Sequence, residues 1–223
     1  FKGTFDGNGH TISDLYINNP GYDLGLFGRA DGAQIKNVTV IGNVTGSHVE
    51  DDIQSGTYVG LIIGLGTSAT RLTNCESIGS VTGYSYVGGI AGIVPSSDGV
   101  ITSCTNHATV KSIGQGSYIG GIVGMGRGVS LCVNFADVTT DGNNVGGLAG
   151  QISPDNNGQG MSDCMNVGNV KGRSIVGGLA GDCSAAENGN NYSIGRIEAT
   201  DKYAGLLVGG YNNDPSRAFE NTY

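Results

Sequence analysis

A six-residue pattern returns along this chain at near-regular intervals, and it limits the possible folds more than any other feature. It reads aliphatic, Gly, Gly or Leu, aliphatic, small or aliphatic, Gly. The copies are Val59-Gly60-Leu61-Ile62-Ile63-Gly64, Val87-Gly88-Gly89-Ile90-Ala91-Gly92, Ile119-Gly120-Gly121-Ile122-Val123-Gly124, Val145-Gly146-Gly147-Leu148-Ala149-Gly150, Val176-Gly177-Gly178-Leu179-Ala180-Gly181 and Ala204-Gly205-Leu206-Leu207-Val208-Gly209. Their first positions are separated by 28, 32, 26, 31 and 28 residues. A shortened copy, Leu24-Gly25-Leu26-Phe27-Gly28, precedes them. A sustained period of this size marks repeats that cannot bury their apolar faces singly and do so by stacking.

A second pattern lies between these copies. It is Cys75-x-Ser77-x-Gly79-x-Val81, Cys104-x-Asn106-x-Ala108-x-Val110, Cys132-x-Asn134-x-Ala136-x-Val138 and Cys164-x-Asn166-x-Gly168-x-Val170. Weaker copies begin at Val38 and Asn191. The spacing of two is the strand period, and intervening residues such as Glu76, Ser80, Thr105, His107 and Thr109 are polar, so one face is expected in the core and the other in water. Each repeat therefore supplies a Gly-flanked aliphatic strand and an alternating strand, joined by turns rich in Gly, Asn, Asp and Ser. Stacking like strands in parallel about 4.8 Å apart would align like residues in columns. The predicted fold is all-β: a right-handed parallel β-solenoid, or β-helix, of about seven coils of about 29 residues.

A β-propeller is the competing architecture, but a four-stranded blade needs roughly 40 residues. Helix is disfavoured because no segment carries an i, i+3, i+4, i+7 stripe, and each Gly inside a helix costs about 1 kcal/mol. The 42 glycines follow no Gly-X-Y triplet and there are only four prolines, which argues against collagen. Residues 1–223 read as a single domain, cut from a longer chain. The net charge of −8 disfavours nucleic acid and anionic membrane surfaces as partners, and no apolar run is long enough to insert in a membrane.

The Gly-Gly-Leu-Ala-Gly copies resemble the GLUG repeat of large bacterial surface proteins, including those with filamentous-haemagglutinin-like regions and some IgA-peptidase-type proteins. The opening Phe1-x-Gly3-x-Phe5-Asp6-Gly7-Asn8-Gly9-His10-x-Ile12 resembles the coil that leads such arrays. The resemblance implies an extracellular location on the bacterial cell surface, a structural or adhesive role, and no cofactor. The metallopeptidase chemistry of IgA-peptidase-type proteins uses a His-Glu-x-x-His helix, which this sequence lacks, so the chain is expected not to be an enzyme. The alternative is a carbohydrate-binding module on a β-helix scaffold. A polysaccharide lyase or hydrolase rests on fold analogy alone. A glycan or a host surface or matrix protein is the expected class of partner.

No residue is assigned a catalytic or metal-binding role. His10, His48 and His107 are scattered, Glu50-Asp51-Asp52 reads as a solvated acidic loop, and Asp6-Gly7-Asn8-Gly9 and Asp155-Asn156-Asn157-Gly158 read as Asx turns rather than calcium loops. Cys75, Cys104, Cys132 and Cys164 form one column and are expected as buried thiols. The odd total argues against a disulfide framework, as does a column spacing of about 4.8 Å where a disulfide wants Cβ atoms about 3.8 Å apart. Cys183, outside the column, is expected in a turn and exposed. Asn106, Asn134 and Asn166 share the inward face and are expected to form an amide ladder. Tyr58, Tyr86, Tyr118 and Tyr203 each precede an inward aliphatic residue. Strand alternation then points them outward, as an exposed strip that could take a glycan, interrupted by Asn144 and Ile175.

Overall fold

The computed structural model describes residues 1–47, 57–184 and 187–211. Strands in two parallel sheets wind into a β-solenoid, and no helix occurs among the described residues. The second sheet contains seven strands, one per coil: Phe27–Asp31, Ile63–Thr67, Ala91–Ile93, Val123–Gly126, Ala149–Ile152, Ala180–Cys183 and Val208–Tyr211. The ladders pair like repeats, with register shifts only in the pairings of Thr4–Asn19 with Gln34–Gly46, Gln159–Ser162 with Glu187–Gly189, and Val170–Gly177 with Ile197–Gly205. Leu24 opposes Val59, Val59 opposes Val87, and the series continues through Ile119, Val145, Val176 and Ala204. Parallel pairing of successive repeats excludes the propeller, whose blades are antiparallel.

The core is narrow and continuous. It holds the aliphatic residues of the Gly-flanked strands from Val59 to Ala180 together with the column Val38, Cys75, Cys104, Cys132 and Cys164, all at most 2% exposed, whereas Ala204 and Leu206 in the last copy are exposed. The five cysteines are free thiols. Cys183 is also fully buried, which corrects the expectation of an exposed thiol in a turn. Its strand runs two residues past the glycine that closes the motif, and Cys183 there pairs with the inward Ile152.

Alongside the thiols runs a ladder of buried polar side chains. Ser77 Oγ donates to Asn106 Oδ1 (2.7 Å), Asn106 Nδ2 to Asn134 Oδ1 (2.7 Å), Asn134 Nδ2 to Asn166 Oδ1 (2.8 Å) and Asn166 Nδ2 to Ser193 Oγ (3.4 Å). Each asparagine amide also donates to the carbonyl two residues on, at 2.8–2.9 Å. All five side chains are thus satisfied without water, as burial demands.

The ladder explains the third position of the Gly-flanked motif. A Cβ at Gly121 would lie 2.4 Å from Asn134 Cγ and 2.2 Å from the Gly147 carbonyl oxygen, with equivalent collisions at Gly89 on Asn106 and Gly147 on Asn166. The coil that carries Leu61 there has the smaller Ser77 on the ladder.

Most coils turn at two corners where a single residue takes left-handed backbone. One precedes the cysteine column: Asn37, Asn74, Ser103, Leu131, Asp163 and Asn190, with φ between 52° and 55°. The other is the tyrosine position, described below. The face expected to be wet is mostly polar but carries exposed Tyr16, Ile41, Phe135 and Ile194.

Candidate functional site

The second corner consists of Tyr86 (φ 52°), Tyr118 (φ 67°), Asn144 (φ 52°), Ile175 (φ 57°) and Tyr203 (φ 55°). Left-handed backbone is unusual for tyrosine and more so for a β-branched residue. Tyr58 belongs to the same column without left-handed backbone. Tyr58, Tyr86 and Tyr118 are half-buried and lie against one another, with ring centroids 5.1 Å apart for the first pair and 4.9 Å for the second. Tyr86, in the middle, has both neighbours on its ring. Burial raises its phenol pKa above the ordinary value, and the adjacent phenols of Tyr118 and Tyr58 add to the rise. The three rings therefore form a packed stack and not an exposed strip. Tyr203, in the coil just beyond the interruption, is 67% exposed.

The interruption itself makes a groove. Its lining is Tyr118, Asn144, Gln151, Ile175, Asp182, Tyr203 and Gly210, and its volume is about 530 Å³. That lies within the range of small-ligand sites, roughly 300–1,000 Å³, whereas the other described hollows measure 200–290 Å³. Two columns build it. The corner column contributes two aromatic residues with smaller ones between them. The column following the motif-closing glycine runs Leu65, Ile93, Met125, Gln151, Asp182 and Gly210, aliphatic beside the tyrosine stack and polar beside the gap. The glycine is needed because a Cβ at Gly150 would sit 2.4 Å from the Tyr118 carbonyl carbon. The two columns pack that closely.

Gln151 Nε2 donates to Asp182 Oδ2 at 3.3 Å. Asp182 is 8% exposed, and burial raises its carboxyl pKa, opposed by a hydrogen bond from the Cys183 backbone. The groove thus presents aromatic surface at its two ends and amide and carboxylate groups along its floor. Sequence reasoning named Tyr118 and Tyr203 but missed Gln151 and Asp182. Their signal was the change from aliphatic to polar immediately after the closing glycine.

No protein-family model matches the chain. The chain is similar to halomucin of Haloquadratum walsbyi (strain DSM 16790 / HBSQ001), with 43% identity over 93 residues, which is 41% of this chain. It spans only about 1% of halomucin's length. Among solved structures, a Bacteroides ovatus chain described as a candidate immunoglobulin A1 protease aligns with a TM-score of 0.68 at 22% identity, covering 98% of this chain and 68% of that one. At that identity the likeness shows a shared β-solenoid fold.

The remaining sequence-level candidates are dispersed. Asp6 Oδ1 accepts from the Asn8 backbone (2.9 Å) and Asn37 Nδ2 (3.0 Å), and Asp155 Oδ1 accepts from the Asn157 backbone (2.8 Å), so both loops are Asx turns. His107 stacks on Phe135 (4.8 Å) and approaches Glu76 (3.6 Å). His48 and Glu50-Asp51-Asp52 lie outside the described residues. Among the described residues no group of three or more His, Cys, Asp or Glu side chains could hold a metal ion.

Proposed function

We propose that the chain is a non-catalytic structural and adhesive module of a large extracellular surface protein, a stiff segment of GLUG-type coils that holds other parts of that protein away from the cell. The observation that carries this reading is the axial continuity of the core. Thiols, amides and aliphatic residues run as unbroken columns through successive coils, so the interior is committed to holding the stack together. A repeat array of this kind extends its length coil by coil without changing its cross-section. The similarity to a small part of halomucin supports placement within a long surface chain. The acidic balance suits a segment that stays soluble and resists self-association.

The test combines catalysis and adhesion. Purified protein incubated with neutral and acidic polysaccharides is expected to release no new reducing ends and no unsaturated products. Beads coated with it are expected to adhere to glycan- or matrix-coated surfaces. Turnover that scales with protein concentration and persists through repurification would overturn the non-catalytic reading, and failure of the beads to adhere to any surface would overturn the adhesive one.

A further inference from the structure

We propose that the groove between Tyr118 and Tyr203 is a binding site for a neutral oligosaccharide. This rests on the surface-module reading only for where such a glycan would be met. The binding itself is a property of the purified chain.

Three features of the groove select this ligand class. Tyr118 is stacked on Tyr86 on one side and lines the groove, so its ring has a fixed position in the wall. Tyr203 lines the same groove three coil steps further on, about 14 Å away along the axis. Aromatic surface attracts the apolar C–H face of a pyranose ring, and a tyrosine adds a hydroxyl at the edge. Two such walls separated by this distance frame a short chain of sugar rings rather than a single one.

Between the walls, the polar groups are those that hydroxyls need. Asn144 and Gln151 offer both amide donors and carbonyl acceptors, and Asp182 offers carboxylate oxygens. The Gln151–Asp182 hydrogen bond orients the two side chains relative to one another before any ligand arrives. Ile175, between them and Tyr203, supplies a further apolar contact.

Charge decides between neutral and acidic sugars. Among the described residues that line the groove Asp182 is the one charged group, and the chain as a whole carries −8. A uronic or sialic acid would bring a second negative charge to a partly buried one, which is unfavourable. The glycines and small side chains at this part of the two columns are what open the space. In the preceding coils Tyr58, Tyr86 and the aliphatic Leu65 and Ile93 occupy the same positions.

The test is isothermal titration of the folded protein with cellotriose, maltotriose, mannotriose, chitotriose and trigalacturonic acid. At least one neutral trisaccharide is expected to bind saturably, and trigalacturonic acid more weakly than that one. Tyr203→Ala removes an exposed ring and Asp182→Asn keeps the volume of the side chain, so both variants are expected to melt close to the parent. Each should weaken binding at least about tenfold, whereas Tyr58→Phe, outside the groove, should leave it unchanged. Absence of binding by every neutral trisaccharide, tighter binding of trigalacturonic acid, or parental affinity in both Tyr203→Ala and Asp182→Asn would each overturn the proposal. Loss of binding without loss of the stacked fold would leave the structural role standing, so the two readings fail separately.

Discussion

Cys132 shows how little spare volume the interior has. Its side chain is fully buried, its Sγ lies 3.2 Å from the Ser130 carbonyl, and its backbone N–H points at Cys164 Sγ from 3.4 Å. Burial, with hydrogen bonds to Cys104 and Cys164, holds its thiol well above the ordinary pKa and therefore unreactive. Cys132→Ala is expected to cost on the order of 1 kcal/mol by lost packing, and Cys132→Leu about 1–3 kcal/mol by overfilling. Thiol titration should find no rapidly reacting cysteine in the native protein and five after denaturation, Cys183 included. Exposure of all five in the native state, or of one after denaturation, would refute this. Tyr86 makes a second prediction at this scale. Its raised pKa means that the unfolded chain loses this proton first as pH rises, so stability is fully present below the ordinary phenol value of about 10 and falls above it. Urea midpoints measured between pH 8 and 11 should decline less steeply in Tyr86→Phe than in the parent. Equal slopes would rule out Tyr86 as the source.

At the scale of the strand, the two sequence motifs are one device. The Gly-Gly of one strand makes room for the Asn of the strand facing it, and neither residue choice is intelligible without the other. Gly121→Ala would drive a Cβ to 2.2 Å from the Gly147 carbonyl, a backbone atom that cannot step aside, and should cost about 1–3 kcal/mol or more. Asn134→Ala would leave the Asn106 amide and the Asn166 carbonyl short of a partner, at about 1–3 kcal/mol for each group left unsatisfied. Chemical denaturation of the two variants checks both values, and a variant within experimental error of the parent would break the ladder account. The period, the parallel stacking and the inward Cys and Asn columns could be read from the sequence because spacings of two and of about 29 are sequence properties. The corners could not. Asn37, Asn74 and Asp163 are residues that tolerate left-handed backbone, but Leu131, Ile175, Tyr86, Tyr118 and Tyr203 are not, and only the fold shows that they adopt it. Nor does the spacing show that Tyr58, Tyr86 and Tyr118 pack ring against ring, or that a groove lies beside them. Cys183 was misplaced for a related reason, since the motif ends at Gly181 while the strand continues.

For the whole molecule, the central claim is that successive repeats stack in register into one stiff rod whose length is set by coil number. Asn43 and Arg196 are both exposed and occupy the same column, linked through Ser80, Thr109, Asp137 and Asn169. They are separated by five coil steps, which corresponds to about 24 Å along the axis. Spin labels attached through non-natural residues at these two positions would avoid the native thiols, and their separation can be read by double electron–electron resonance. The account predicts a single narrow distribution centred near 24 Å, broadened only by the label linkers. A broad distribution, or one centred at a much longer distance, would contradict it.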